Sequence, residues 1–348
     1  MESGNISAVR KTPNSNGQYG VGVTDGGDFT MTGGKIEAGW FAVAGNGNYK
    51  TQNSIINITD GELISTADYA VYLPQSGTTT ISGGKVYGAA GGVCIQRGTL
   101  NVEGTALITS KGTGSTGNWG DGTGGLDCAA INVSGAYGIA TVNIKGGTLI
   151  AEAKSLITEG TTYTPVINVT GGTFSDPSVL KYMATNATVD IKLLSNINIA
   201  KTELATGYIL NAANATANLN LNGHDIINSS ETADATPFTQ IFTVQNGTLN
   251  ISGNGNVKCD ASATAKDDGY RMVIEARGYG TVNIHGGSYY NTQKLNTQID
   301  LIYARENGKI NIYGGTFESG KYGTPNNDTD GRYWVLNLKN TDKNTASI

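Results

Sequence analysis

One pattern returns along the chain: an apolar, a polar, an apolar and a small or polar residue, then two glycines, any residue and another apolar one. It reads Phe29-Thr-Met-Thr-Gly33-Gly34-Lys-Ile36 and Thr79-Thr-Ile-Ser-Gly83-Gly84-Lys-Val86. It returns as Val142-Asn-Ile-Lys-Gly146-Gly147-Thr-Leu149, Ile167-Asn-Val-Thr-Gly171-Gly172-Thr-Phe174, Val282-Asn-Ile-His-Gly286-Gly287-Ser-Tyr289 and Ile310-Asn-Ile-Tyr-Gly314-Gly315-Thr-Phe317. Looser copies start at Ile56, Leu100, Leu219 and Leu249. A fixed internal repeat constrains a fold more than any single motif, because each unit must bury its apolar face on its neighbours.

The first-glycine position falls on Gly33, Asp60, Gly83, Gly104, Gly146, Gly171, Asn222, Gly253, Gly286 and Gly314, in steps of 27, 23, 21, 42, 25, 51, 31, 33 and 28 residues. The steps of 42 and 51 read as two coils each, with one worn copy inside. On that reading a coil averages about 25 residues, room for three short strands and three turns. Apolar residues alternate with period two, a strand signal, and no amphipathic helical period competes with it. The expected fold is an all-β, right-handed, single-stranded parallel β-helix. At each corner one glycine of the pair takes a positive φ, which costs glycine little. Asp60 and Asn222 stand in for the first glycine as residues that also tolerate that region.

A second strand precedes each motif, as in Ala70-Val-Tyr-Leu73, Gly92-Val-Cys-Ile95, Ile241-Phe-Thr-Val244, Met272-Val-Ile-Glu275 and Leu301-Ile-Tyr-Ala304. A third follows the glycines, as in Lys85-Val-Tyr87. The rhythm breaks at Ser175-Asp-Pro-Ser-Val-Leu-Lys-Tyr-Met183, which predicts a short helix capped by Ser175 with Pro177 in its first turn. A boundary near residue 185 divides the chain into a first β-helix segment, 1–185, and a second, 186–348. The second stops where another repeat would begin, so the expectation is a chain that continues past Ile348, since an uncapped end exposes strand edges.

Composition narrows the function classes. Charged residues are 15% of 348, the net charge is −5, and no Lys/Arg run is present, which argues against a nucleic-acid partner. No apolar run is long enough to insert in a bilayer. Cys94, Cys128 and Cys259 are too few and too scattered for a disulfide framework or a zinc site, and read as buried free thiols. No nucleotide loop or calcium-binding nonapeptide repeat is present, so no cofactor and no metal are expected.

The stretches INVTGGTFSDPSVLKYM, LNLNGHDI, LNISGNG and INIYGGTFES resemble the pectate-lyase-like right-handed β-helix repeats of bacterial surface proteins and phage proteins. LNLNGHDI is similar to the opening coil of such domains and GGTFSDPS to their closing element. The resemblance spans nearly the whole chain. It implies an extracellular, cell-surface or virion location, and a function among polysaccharide lyases and hydrolases, phage tailspikes, and adhesins without catalysis.

Glycoside cleavage needs two carboxyl groups flanking the sugar bond. The acids available are Asp267, Asp268, Glu275, Asp300 and Glu306, but Glu275 shares its column with Tyr303 and not with another acid. The simplest reading of these acids is solvated surface charge. Asn340-Thr-Asp342 is an isolated fragment of the polygalacturonase motif set. His224 and His285 lack a positioned partner in the sequence. Binding candidates are clearer. An asparagine sits between two apolar residues at positions 57, 101, 132, 143, 168, 220, 250, 283 and 311, so a polar column faces outward. Stacked asparagines form hydrogen-bonded ladders, and the same strip could contact sugar hydroxyls. Tyr290, Tyr313 and Tyr322 are surface candidates in a Tyr-rich last quarter, and Arg277 and Arg305 share a column. Tyr289 falls in the column of Phe174 and Phe317 and is assigned to the core. The preferred expectation is a non-catalytic surface or fibre module of unknown oligomeric state that binds a carbohydrate or a host or cell-surface protein. The alternative is a lyase, hydrolase or tailspike-type enzyme using Asp267, Glu275, Asp300 and Glu306.

Overall fold

The computed structural model describes residues 1–9, 18–47, 51–116, 123–159, 162–199, 207–228, 240–259, 272–291, 299–319, 333–339 and 345–347. These are almost entirely short strands paired in parallel. The fold is a parallel β-helix, and the chain divides into two units, Met1–Tyr182 and Met183–Ile348.

In the first unit one coil consists of Tyr69–Leu73, Gly77–Ile81 and Lys85–Gly88, and the next of Gly91–Ile95, Gly98–Val102 and Leu107–Ser110. Equivalent strands pair in register, Val71 with Val93, Ile81 with Val102 and Val86 with Ile108. Three sheets result, here called leading, central and trailing in chain order. Alternation fixes which side chains enter the coil. Ala140, Val142 and Ile144 are buried while Thr141 and Asn143 between them are only half-buried. Stacked coil on coil, these residues form continuous apolar columns. The central one is Met31, Ile58, Ile81, Val102, Ile144 and Val169, and the trailing one is Ile36, Leu63, Val86, Ile108, Leu149 and Phe174, all at most 1% exposed. Each such side chain contributes roughly 1.5–3 kcal/mol by burial.

The two glycines of the motif have different jobs. The second bends the chain: Gly84 has φ 74° and Gly287 φ 88°. The first lets coils touch: a Cβ on Gly83 would lie 2.1 Å from the carbonyl oxygen of Thr59 in the coil below.

The 42-residue step is one coil and not two. Asn143 donates to Asn101 at 3.0 Å across that step, and Val142 pairs directly with Leu100. The extra length is an insertion between the trailing strand Leu107–Ser110 and the leading strand Ala129–Val133. Thr116 N donates to the Leu126 carbonyl at 2.8 Å, and Ser115 pairs with Asp127 antiparallel, so the insertion doubles back on itself. The predicted helix is a 3-10 turn, Pro177–Tyr182, and its cap is Asp176, not Ser175. Ser178 N donates to Asp176 Oδ1 at 2.8 Å, while Ser175 Oγ is turned to the Ala151 carbonyl at 3.1 Å.

The second unit repeats the scheme with longer coils. Hydrogen-bonded equivalents lie 28, 32, 33 and 28 residues apart, against 21 and 25 for ordinary steps in the first unit. Inside the 51-residue step a worn coil does exist: Thr188–Lys192 pairs with the next central strand, Ile191 opposite Leu219. Tyr208–Asn220, Gln240–Ser252 and Met272–Ile284 run from leading to central sheet as single bent strands. Phe242, Ile274 and Ile302 form its leading core column. Tyr289 is fully buried, as its column predicted, and its ring stacks on Phe317 at 5.1 Å between centroids.

Candidate functional site

Among the acids singled out, Glu275 and Asp300 are not solvated surface charges. Glu275, on the strand Met272–Ile284, is 2% exposed and lies in the column Thr243, Glu275, Tyr303. Arg305 Nε donates to its Oε1 at 2.6 Å, Gln240 Nε2 donates to its Oε2 at 3.2 Å, and an Arg277 nitrogen stands 3.9 Å away. Arg277 and Arg305 therefore converge on one carboxylate and do not form a bare basic ladder. Arg305 also pairs with Glu306, whose side chain is 49% exposed. Burial opposes charge on Arg305, but the hydrogen bond and attraction of Glu275 prevail and hold its pKa above the ordinary value. Asp300 is fully buried, and both its carboxylate oxygens accept from Asn337 Nδ2, at 3.0 and 3.1 Å. Asp267 and Tyr322 lie outside the described residues, as does Asp268. Tyr290 is half-buried in the trailing sheet between Lys258 and Glu318.

The outward face of the central sheet in the second unit is different. From Tyr279 to His285 burial alternates strictly: Gly280, Val282 and Ile284 are buried, Thr281 and Asn283 half-buried, Tyr279 and His285 exposed. One row of a single coil thus displays Tyr279, Thr281, Asn283 and His285 side by side. Tyr279 is 79% exposed. It is displayed on a bend between Gly278, at φ 60°, and Gly280, whose Cβ would sit 2.0 Å from the Val244 carbonyl oxygen. At the other edge His285 stacks on Tyr313 of the next coil, rings 4.7 Å apart and 7° from parallel, with Tyr313 65% exposed. Because His285 occupies one face of Tyr313, the pair borders the strip as a two-coil wall.

Between these aromatic borders runs the asparagine ladder. Asn311 donates to Asn283 at 2.7 Å, Asn283 to Asn250 at 2.7 Å, Asn250 to Asn218 at 2.8 Å, and Asn218 to the Asp190 carboxylate at 2.9 Å. The residue in the column is Asn218 and not Asn220. Ala217-Asn-Leu-Asn-Leu221 offers two equivalent frames, and pairing of Ala217 with Leu249 selects the first. The first unit has a shorter ladder, Asn168 to Asn143 to Asn101, each at 3.0 Å, then Asn101 to Thr80 Oγ1 at 3.5 Å. Asn132 is not part of it. It lies in the leading sheet opposite Cys94 and is fully buried.

That leading sheet holds a polar cluster the sequence did not reveal. Every residue of Tyr69–Leu73, Gly91–Ile95 and Ala129–Val133 is buried, so its outer face is covered. Phe41, Ala44, Tyr69, Tyr72 and Cys94 pack together there, with Trp40 and Leu126 against them. Buried Asp68 accepts from Tyr69 N at 2.7 Å and from Thr123 Oγ1 at 3.0 Å, tying the insertion down. Tyr69 donates to the Asp127 carbonyl at 2.5 Å. Glu159 accepts from Asp127 N at 2.6 Å and Asn132 Nδ2 at 2.8 Å. Burial pushes the Glu159 carboxyl and the Cys128 thiol up, and the Tyr69 phenol well up. All three cysteines are buried.

Among the described residues no group of three or more His, Cys, Asp and Glu is placed to hold a metal ion, and no helix is long and apolar enough to cross a membrane. In comparisons with known proteins the chain matches no family model, no curated protein and no solved structure.

Proposed function

We infer that the chain is a non-catalytic display and binding module of a cell or virion surface, and that the outward central face of its second unit binds glycan. The observation that carries this reading is the row Tyr279, Thr281, Asn283, His285, a neutral polar strip bordered by exposed aromatic rings on a rigid sheet. Amides and hydroxyls supply both donors and acceptors, which suits sugar hydroxyls, and aromatic edges and faces suit the C–H surfaces of a pyranose. Building the site on strands keeps the groups preorganised, which limits the entropy lost on binding. Two of the candidate acids are already engaged. Glu275 is engaged by Arg305 and Gln240, and Asp300 by Asn337, so neither is offered to a scissile bond.

The test is to pass the purified chain over immobilised neutral polysaccharides and to follow both retention and polymer length. Retention without shortening is expected, and combining Tyr279→Ala with Tyr313→Ala lowers affinity at least tenfold. Shortening of any polymer, or retention that ignores both substitutions, overturns the reading.

A further inference from the structure

The reading above leaves open how a glycan would lie on the face, and the register of the sheet constrains it. Asp190, Asn218, Asn250, Asn283 and Asn311 are paired coil to coil without slippage, as are Thr188, Thr216, Thr248, Thr281 and Lys309 two residues before them. Neighbouring parallel strands lie about 4.8 Å apart, so the face repeats at that interval along the axis. It also has a direction. Every ladder amide donates toward the lower-numbered coil, and the series ends on the Asp190 carboxylate. An amide has two N–H groups, and each rung of the ladder uses one of them.

We propose that the ligand is a linear, neutral, β-1,4-linked polysaccharide lying parallel to the solenoid axis, one sugar per coil. This rests on the glycan reading above. An extended chain of that linkage advances per sugar by nearly the coil spacing, is directional, and offers a hydroxyl to the strip at each step, from alternating edges of successive sugars. Other linear polymers fit the lattice less well. An extended peptide advances about 3.3 Å per residue, out of phase with the coils. A nucleic-acid strand advances about 3.4 Å and needs cations at its phosphates. In the three outward columns Asp190, Lys192 and Lys309 stand toward the ends, and the other described positions are Thr, Asn and Ser with His285 and Tyr313, so no row of cations faces an acidic polymer. An α-1,4-linked chain curves and leaves the strip after a few sugars.

The experiment is calorimetric titration with β-1,4-linked gluco-oligosaccharides from disaccharide to hexasaccharide, alongside the α-1,4-linked series. Affinity for the β series is expected to rise about fivefold per added sugar, one net hydrogen bond each, and to level off once the chain outruns the rungs, while the α series stays flat. Asn250→Thr, a residue the first unit itself uses in its ladder at Thr80, should make the rise stop earlier. Equal, length-independent binding of both series overturns the axial arrangement and leaves glycan binding standing. No binding by either series removes both.

Discussion

The two units share an interior and a buried leading sheet, and differ in what their outer faces carry. In both, apolar columns fill the coils, and asparagines form a ladder outside the central sheet. In the first unit Leu126 of the insertion and Trp40 pack against a buried cluster of Phe41, Ala44, Tyr69, Tyr72 and Cys94 on the leading sheet. Its ladder ends on the neutral hydroxyl of Thr80. The second unit holds Glu275 and its arginines on the leading sheet, displays Tyr279 and Tyr313 beside its central sheet, and ends its ladder on a carboxylate. The coil interior tolerates little variation because each side chain packs on its copies above and below. The outside is where two stretches of one repeat can diverge.

That contrast is sharpest for aromatic residues. Phe41→Ala, in the covered face, is expected to cost about 3–5 kcal/mol, whereas Tyr313→Ala, on the open face, should stay within about 0.5 kcal/mol. Urea midpoints of the two variants measure both, and equal losses would break the distinction between covered and open faces. Next in size is Glu275→Ala. It removes the buried partner of Arg305 and leaves it the exposed Glu306, at about 2 kcal/mol, below the usual range for a buried pair because the Arg305 side chain remains 26% exposed. Denaturant unfolding with Arg305→Ala as the partner mutation isolates the coupling.

The sequence discloses the interior better than the outside, for a physical reason. Burial acts on every coil, so the triplets at Val142, Val282 and Ile310 and the glycines after them mark the strands and corners directly. A spacing alone does not tell a worn coil from an inserted loop. The 51-residue step hides a strand at Thr188–Lys192, while the 42-residue step hides an insertion, and only pairing of Leu100 with Val142 separates them. Asn132 has apolar neighbours like its ladder namesakes, yet it belongs to a different sheet, where both faces are buried. The Glu275 ion pairs join a strand to a corner one coil away, a contact with no local signal. Tyr279 was legible in principle, since a tyrosine between two glycines marks a displayed bend.

Two smaller effects refine the comparison. Asn283→Ala removes a ladder rung and should cost about 1 kcal/mol, and Asp190→Asn, which replaces the anionic terminus of the second ladder by a neutral amide like the rest, a few tenths. If Asp190→Asn cost more than the rung, the anion and not the ladder would be the main stabiliser. The weakest effect concerns pH. Burial raises the Glu159 pKa in the folded state above its unfolded value near 4.3, so folding takes up a proton there and this group favours the fold more as pH falls toward that value. Compared with Glu159→Gln, the native chain should therefore gain stability between pH 7 and pH 5, read from thermal midpoints. A loss over that range would mean that the bonds from Asp127 N and Asn132 outweigh burial.

The most direct test of the open-face account is side-chain amide NMR of the asparagines during titration with a β-1,4-linked hexasaccharide. The Nδ2 resonances of Asn250 and Asn283 are expected to shift together while that of buried Asn132 stays still. Shifts confined to the first unit, or binding that leaves the second ladder unperturbed, would contradict it.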